Sequence, residues 1–253
     1  METLAIIPAR YGSSRFPGKP LALVRGKPMI ERVYRQAAKA FRHVCVATDD
    51  SRIYDTVTRF GGIAAMTSPL HQSGTDRSLE ALKIYSREHA GKFDIVINVQ
   101  GDEPFIRPEQ LLELKECFND SSVNIATLVK KIETEEELLN SNTPKVVIDK
   151  NMNALYFSRT QIPFARDCTV SEQFIREHCF YKHIGLYGYR SQTLEEICSL
   201  PQSYLEKTEK LEQLRWLENG YRIRVAVTGY MTHAVDTPQD LEYLNSDDFR
   251  LTL

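Results

Sequence analysis

Leu4-Ala5-Ile6-Ile7-Pro8-Ala9-Arg10-Tyr11-Gly12-Ser13-Ser14-Arg15-Phe16-Pro17-Gly18-Lys19-Pro20-Leu21 is a short apolar run that breaks into a basic loop. The run Leu4–Pro8 is nearly continuous in apolar residues, as expected of a strand buried on both faces of a mainly parallel sheet. The loop after it holds Arg10, Arg15 and Lys19 together with Gly12, Gly18, Pro17 and Pro20. Those breakers exclude an ordinary helix and let backbone amides face a concave, anion-binding turn. Ligands of open α/β sheets bind beyond the carboxyl ends of the strands. A loop in that place suits a polyphosphate, with Arg gripping oxygens in pairs and Lys adding a mobile point charge. It is neither a Walker A loop nor the glycine fingerprint of dinucleotide folds. The plainer alternative is a solvated basic loop.

Outward from this stretch, further short apolar runs appear at Val44–Thr48, Ile63–Met66, Asp94–Val99, Ile125–Val129 and Arg222–Thr228. Between them Met29, Ile30, Val33, Tyr34, Ala37 and Phe41 recur on one helical face, as do Ile53, Tyr54, Val57 and Phe60. Leu79, Leu82 and Tyr85 repeat the pattern, and Leu111, Leu114 and Phe118 follow it more loosely. Such alternation predicts an α/β fold with a doubly wound, mainly parallel sheet. The rhythm breaks at Val146–Ser158, which reads as a hairpin with a four-residue turn, and His183–Tyr189 reads as another strand. Residues 145–200 are therefore expected to form a mostly antiparallel insertion within one domain spanning 1–253, and a candidate dimer interface. Leu211, Leu214 and Leu217 mark a later helix, and a last one starts at Thr237-Pro238, with Asp240 in its first turn.

Composition sets bounds. A net charge of −2 gives no global field for nucleic acid or anionic membrane, so cations for an anionic ligand must be local. No apolar run approaches the roughly 18 residues of a membrane span, and the first residues lack the features of a signal peptide. The five cysteines form no C-x-x-C pair and read as reduced thiols of a cytoplasmic protein.

Two aspartates stand out. Asp102 follows the buried-strand pattern Ile95–Val99 and sits at its carboxyl end, where a carboxylate can hold a hard divalent cation that bridges phosphates. Asp236 follows the later strand and can converge on the same cleft, or simply favour the adjoining helix start. Ser73 or Thr75 can likewise be no more than a helix cap. His183 can be a satisfied core histidine and Tyr187 a half-buried strand aromatic.

Several blocks carry a family resemblance: Arg10–Pro20, His71–Arg77, Asn98-Val99-Gln100-Gly101-Asp102-Glu103-Pro104, Ala154–Arg159, His183–Arg190, Leu211–Arg215 and Val235-Asp236-Thr237-Pro238. In that order, and over nearly the whole chain, they resemble the cytidylyltransferases of 3-deoxy-manno-octulosonate (Kdo), also called CMP-Kdo synthetases. The chain departs from the pattern at Lys182 and at His233-Ala234. The resemblance implies a sheet of the nucleotide-diphospho-sugar transferase type, CTP and Kdo as substrates, Mg²⁺ as cofactor, a homodimer, and a product destined for lipopolysaccharide or a similar polysaccharide. It assigns Arg15, Lys19, Asp102 and Asp236 to catalysis, with Asp102 and Asp236 as metal ligands. Pro8, Ala9, Arg10, Gln72, Ser73, Gly74 and Arg77 fall to the nucleotide, and Gln100, Arg159, His183, Tyr187, Glu212 and Gln213 surround the sugar acid. No nucleic-acid partner and no membrane span are implied.

Overall fold

Thr3 through Ile7 are all buried in the first strand, β1 (Thr3–Ala9), which runs inside a larger sheet. The structure, a computed structural model, describes residues 1–12, 16–167, 170–231, 233–246 and 248–249. Its other strands are β2 (Leu23–Val24), β3 (Lys27–Pro28), β4 (His43–Thr48), β5 (Ala64–Met66), β6 (Ile95–Asn98), β7 (Ile125–Lys131), β8 (Lys145–Ile148), β9 (Ala154–Ser158), β10 (Tyr181–Arg190) and β11 (Ile223–Val227). Its α-helices are α1 (Met29–Ala40), α2 (Ser51–Arg59), α3 (Gly74–Glu88), α4 (Pro108–Glu116), α5 (Glu135–Leu139), α6 (Glu172–Glu177), α7 (Ser191–Cys198), α8 (Tyr204–Glu209), α9 (Gln213–Glu218) and α10 (Pro238–Asn245).

The main sheet runs β11-β7-β10-β6-β1-β4-β5. Its pairings are parallel except at β10, which is antiparallel to both β6 and β7. Alternate residues of β1 go to opposite faces. Leu4 and Ile6 pack with Ala81, Leu82 and Tyr85 of α3 and Leu194 of α7. Ala5 and Ile7 pack with Ile30 and Val33 of α1, Val57 of α2 and Leu111 of α4. Helices on both faces make this the doubly wound sheet expected of near-continuous apolar strands. Each fully buried Leu or Ile contributes about 1.5–3 kcal/mol. Alternation along β1 therefore stabilises both layers at once.

The antiparallel part is not appended at an edge. The β8–β9 hairpin pairs with the start of β10 at Tyr181 and Lys182, and the rest of β10 is a central strand of the main sheet. The hairpin turn is tied by Asp149 Oδ1, which accepts from the backbone N–H of Asn151 and of Asn153 at 2.8 Å each. Because β10 runs against its neighbours, its first half lies at the carboxyl ends of β6 and β7. Among the described residues, no helix is long and apolar enough to cross a membrane.

Candidate active site

A cleft of about 290 Å³ opens beyond the carboxyl ends of β1 and β6. It is lined by Pro8, Ala9, Arg10, Lys19, Pro20, His71, Gln72, Ser73, Gly74, Arg77, Gln100, Gly101, Asp102 and Asp236. All seven residues expected to frame a nucleotide are in this lining, with Lys19 and both aspartates. A larger hollow of about 490 Å³ lies at the opposite end of the sheet. Its Arg190 guanidinium is occupied by the carbonyl oxygens of Phe118, Asp120 and Val123, so it offers no comparable ligand set.

The basic loop closes on itself before it reaches the cleft. Gly18 N–H donates to Tyr11 O at 2.9 Å, and Gly18 has φ +73°, a conformation open to glycine at no steric cost. A short 3₁₀ turn over Lys19–Leu21 then aims Lys19 inward. Arg10 is exposed at the cleft wall. Arg15 lies outside the described residues. Gly101 brings the β6 turn against β1, where a Cβ would sit 2.8 Å from Pro8 O.

Lys19 Nζ donates to Asp102 Oδ2 at 2.6 Å and to Val235 O at 2.8 Å, and it stands 3.8 Å from Asp236 Oδ1. The start of α10 is capped by Thr237 and Asp240, whose side chains exchange bonds with each other's backbone N–H. The helix start is thus served without the Asp236 carboxylate, which faces Lys19. Two carboxylates converging at one point, with water and phosphate oxygens, are the donor set that Mg²⁺ accepts. Among the described residues, no group of three or more His, Cys, Asp or Glu side chains could hold a metal by itself. Beside Asp102, Glu103 is buried. Burial first, and the Asp102 charge second, push its carboxyl up to about 8, against the pull of the His233 N–H.

A cluster of buried polar side chains extends from Gln100 at the cleft wall. Gln100 Nε2 donates to Gly185 O at 2.9 Å, joining the end of β6 to a bulge in β10 between Ile184 and Tyr187. The bulge draws the rings of His183 and Tyr187 to 5.2 Å, whereas four residues of regular strand span about 13 Å. His183 Nε2 lies 2.9 Å from Thr127 Oγ1, and burial drives its imidazole down to about 3, so it is neutral. Burial raises the phenols of Tyr187 and Tyr189 well above their usual value. Thr75 Oγ1 donates to Glu212 Oε2 at 2.7 Å, and burial raises the Glu212 carboxyl despite that bond. Among the described residues, the buried Tyr187 hydroxyl and Gln213 Nε2 have no hydrogen-bond partner. Groups of this kind are costly unless a ligand or water meets them.

Two expected site residues have their side chains engaged elsewhere. Arg77 is buried, with its guanidinium on Asp49 Oδ2 and Thr67 Oγ1, both at 2.7 Å. Arg159 donates to the carbonyl oxygens of Glu209, Ser141 and Lys210 and is not in the cleft lining. Ser73 caps α3 by accepting from Asp76 N–H, and it also faces the cleft. Sequence reasoning does not single out Thr127, Tyr189 or Glu103, and it offers Thr75 only as a helix cap. Tyr189 shares strand parity with Tyr187, and Glu103 adjoins Asp102, so both had a sequence signal. Thr127 sits in an apolar run and had none.

Residues 4–223 match the cytidylyltransferase family. A 3-deoxy-manno-octulosonate cytidylyltransferase of Parabacteroides distasonis is 54% identical over 246 residues, covering 96% of each chain. This chain belongs to the Kdo cytidylyltransferase family. A second member, from Bacteroides thetaiotaomicron, is also 54% identical over 246 residues and 96% of each chain. The solved structure of a CMP-2-keto-3-deoxy-manno-octonic acid synthetase complexed with CTP superposes with TM-score 0.86 at 41% identity, covering 97% of each chain. The family's sheet, with its antiparallel insertion, is the one described above.

Proposed function

We propose that this chain activates Kdo with CTP, forming CMP-Kdo and pyrophosphate for lipopolysaccharide synthesis. The observation that carries the reading is Lys19 standing between Asp102 and Asp236 in a cleft lined by all seven residues expected to frame a nucleotide. The anomeric oxygen of Kdo forms a bond to the α-phosphorus of CTP, and the bond from that phosphorus to the bridging oxygen of pyrophosphate breaks. The hydroxyl proton leaves to solvent. No enzyme nucleophile is needed, so positioning and charge neutralisation do most of the work.

Asp102 and Asp236 would hold Mg²⁺. When bound, it supplies neutralisation of phosphate charge and acidification of the attacking hydroxyl. Lys19, with Arg15 of the same loop, stabilises the charge gathering on pyrophosphate. Pro8, Ala9, Arg10, Gln72, Ser73 and Gly74 frame the nucleotide, and Arg77 supports that wall through Asp49 and Thr67. Tyr187 O–H and Gln213 Nε2 donate to oxygens of the sugar acid, with Gln100, His183 and Glu212 around them. Arg159 reaches the sugar carboxylate by releasing its three carbonyl partners, and the new pair adds charge–charge attraction to its hydrogen bonds. The whole chain acts as one domain, and the 145–200 segment, where Leu155 and Phe164 are exposed, pairs two copies. Light scattering of the purified chain tests that pairing.

The deciding experiment is pyrophosphate release with CTP, Mg²⁺ and Kdo, beside N-acetylneuraminate and ATP, GTP and UTP. Release with CTP and Kdo alone, abolished by EDTA, is the expected result. Silence with Kdo but turnover with another acid sugar overturns the substrate.

A further inference from the structure

We propose that Glu103 is a positioning residue that fixes where Asp236 stands relative to Asp102. The inference rests on the assignment of those two aspartates as the cation's ligands. Asp102 is held by its own strand, because it follows β6 and Gly101 packs against Pro8. Asp236 arrives from the far edge of the sheet, on the segment after β11. Its place therefore depends on what ties that segment down.

Val235 N–H donates to Asp102 O at 2.9 Å, and His233 N–H donates to Glu103 Oε2 at 3.1 Å. The Val235 side chain is fully buried in a cluster with Phe105. Lys19 Nζ binds Val235 O from the other side. Downstream, Asp236 N–H donates to Asp240 Oδ2 at 2.9 Å, so the segment is tied at Val235 and at the start of α10. The bond at His233, two residues before Val235, is the tie on the side from which the segment approaches, and it sets the direction in which Asp236 enters the cleft. Glu103 is 9% exposed, so little water can replace its side chain as acceptor. It does not line the cleft and acts only through Asp236.

The test compares Glu103→Gln, Glu103→Ala and Glu103→Asp in the full chain. The glutamine oxygen can accept the same N–H, so Glu103→Gln keeps its Mg²⁺ activation curve within about threefold of wild type, while Glu103→Ala needs roughly 10- to 100-fold more Mg²⁺, the range for losing a partner that orients a ligand. Glu103→Asp keeps the carboxyl group but shortens the reach, and behaves like Glu103→Ala; it serves if the alanine variant fails to fold. Hydrogen–deuterium exchange without any ligand gives a second readout. Amides 233–236 exchange faster in the alanine and aspartate variants and not in the glutamine variant. An unchanged Mg²⁺ curve, or faster exchange spread evenly over the sheet, overturns the proposal. If wild type makes no CMP-Kdo, the functional reading fails, and the exchange comparison still decides the role of Glu103.

Discussion

Lys19 Nζ and Asp102 Oδ2 are 2.6 Å apart, with side chains only 15% and 26% exposed. An ion pair this sheltered is weakly screened compared with one at the surface. It joins the basic loop after β1 to the turn after β6, two segments that neighbouring parallel strands deliver to the same edge.

Removing this cation is expected to harm the reaction far more than the fold. Lys19→Ala should lower kcat by at least about 10²-fold, the order found when one preorganised electrostatic group is lost. Steady-state pyrophosphate release checks it, and turnover within about threefold of wild type would remove Lys19 from the mechanism.

Tyr187→Phe separates stability from binding. The hydroxyl it deletes is buried and unpartnered, so the midpoint of urea unfolding should hold or rise. The KM for Kdo should increase roughly three- to tenfold, the equivalent of one lost hydrogen bond. A fall in stability with unchanged KM would mean that the hydroxyl serves the fold instead.

His183 predicts an acid-sensitive limb in the stability curve. Its folded value, about 3, lies below the ordinary 6.5. As pH falls below 6.5 the unfolded chain takes up a proton that the folded chain refuses, so stability is lost progressively from there toward about 3. The slope attributable to this one group is at most about 1.4 kcal/mol per pH unit. Urea unfolding at pH 7, 6 and 5 should show a shallower loss in His183→Gln than in wild type. Equal slopes would mean that the ring is solvated.

Gly101→Ala tests the turn that carries Asp102. The new methyl would meet Pro8 O at 2.8 Å, a backbone atom that cannot swing aside. A loss of about 1–3 kcal/mol is expected from overpacking, read as a lower unfolding midpoint. Activity should fall with it, because the strain falls between β1 and Asp102. An unchanged midpoint would show that the turn relaxes freely.

The reach of the sequence can be judged from single elements. The apolar run Leu4–Pro8 specified a strand because burial on both faces demands nearly every residue be apolar. The five other runs of the sheet's parallel part specified β4, β5, β6, β7 and β11 in the same way. Thr237, Pro238 and Asp240 specified the start of α10, since capping is local chemistry. The α9 start differed slightly: Glu212 stands at the cap position rather than within the helix, a displacement within the usual one or two residues at helix ends.

The quoted blocks point to the cleft residues through their resemblance to the family, and the strand–loop pattern adds only where the basic loop emerges. What they left open was which side chains are free to act. Arg77 and Arg159 carry the right charge, yet Asp49, Thr67 and three carbonyl oxygens hold their guanidiniums. Those partners are distant in sequence or belong to backbone, so no local pattern announces them.

The amino-acid sequence by itself determined the strands of the main sheet, the start of α10 and the basic loop, since each depends on side-chain periodicity or on neighbours within a few residues, and it left Asp236 open between the cleft and the adjoining helix start. Only the tertiary structure decided that β10 enters the middle of the sheet, that its bulge brings His183 to Tyr187, and that Asp236 reaches Lys19. Strand order and bulge register come from which surfaces pack best across the whole chain, and that is a sum over contacts no single segment contains.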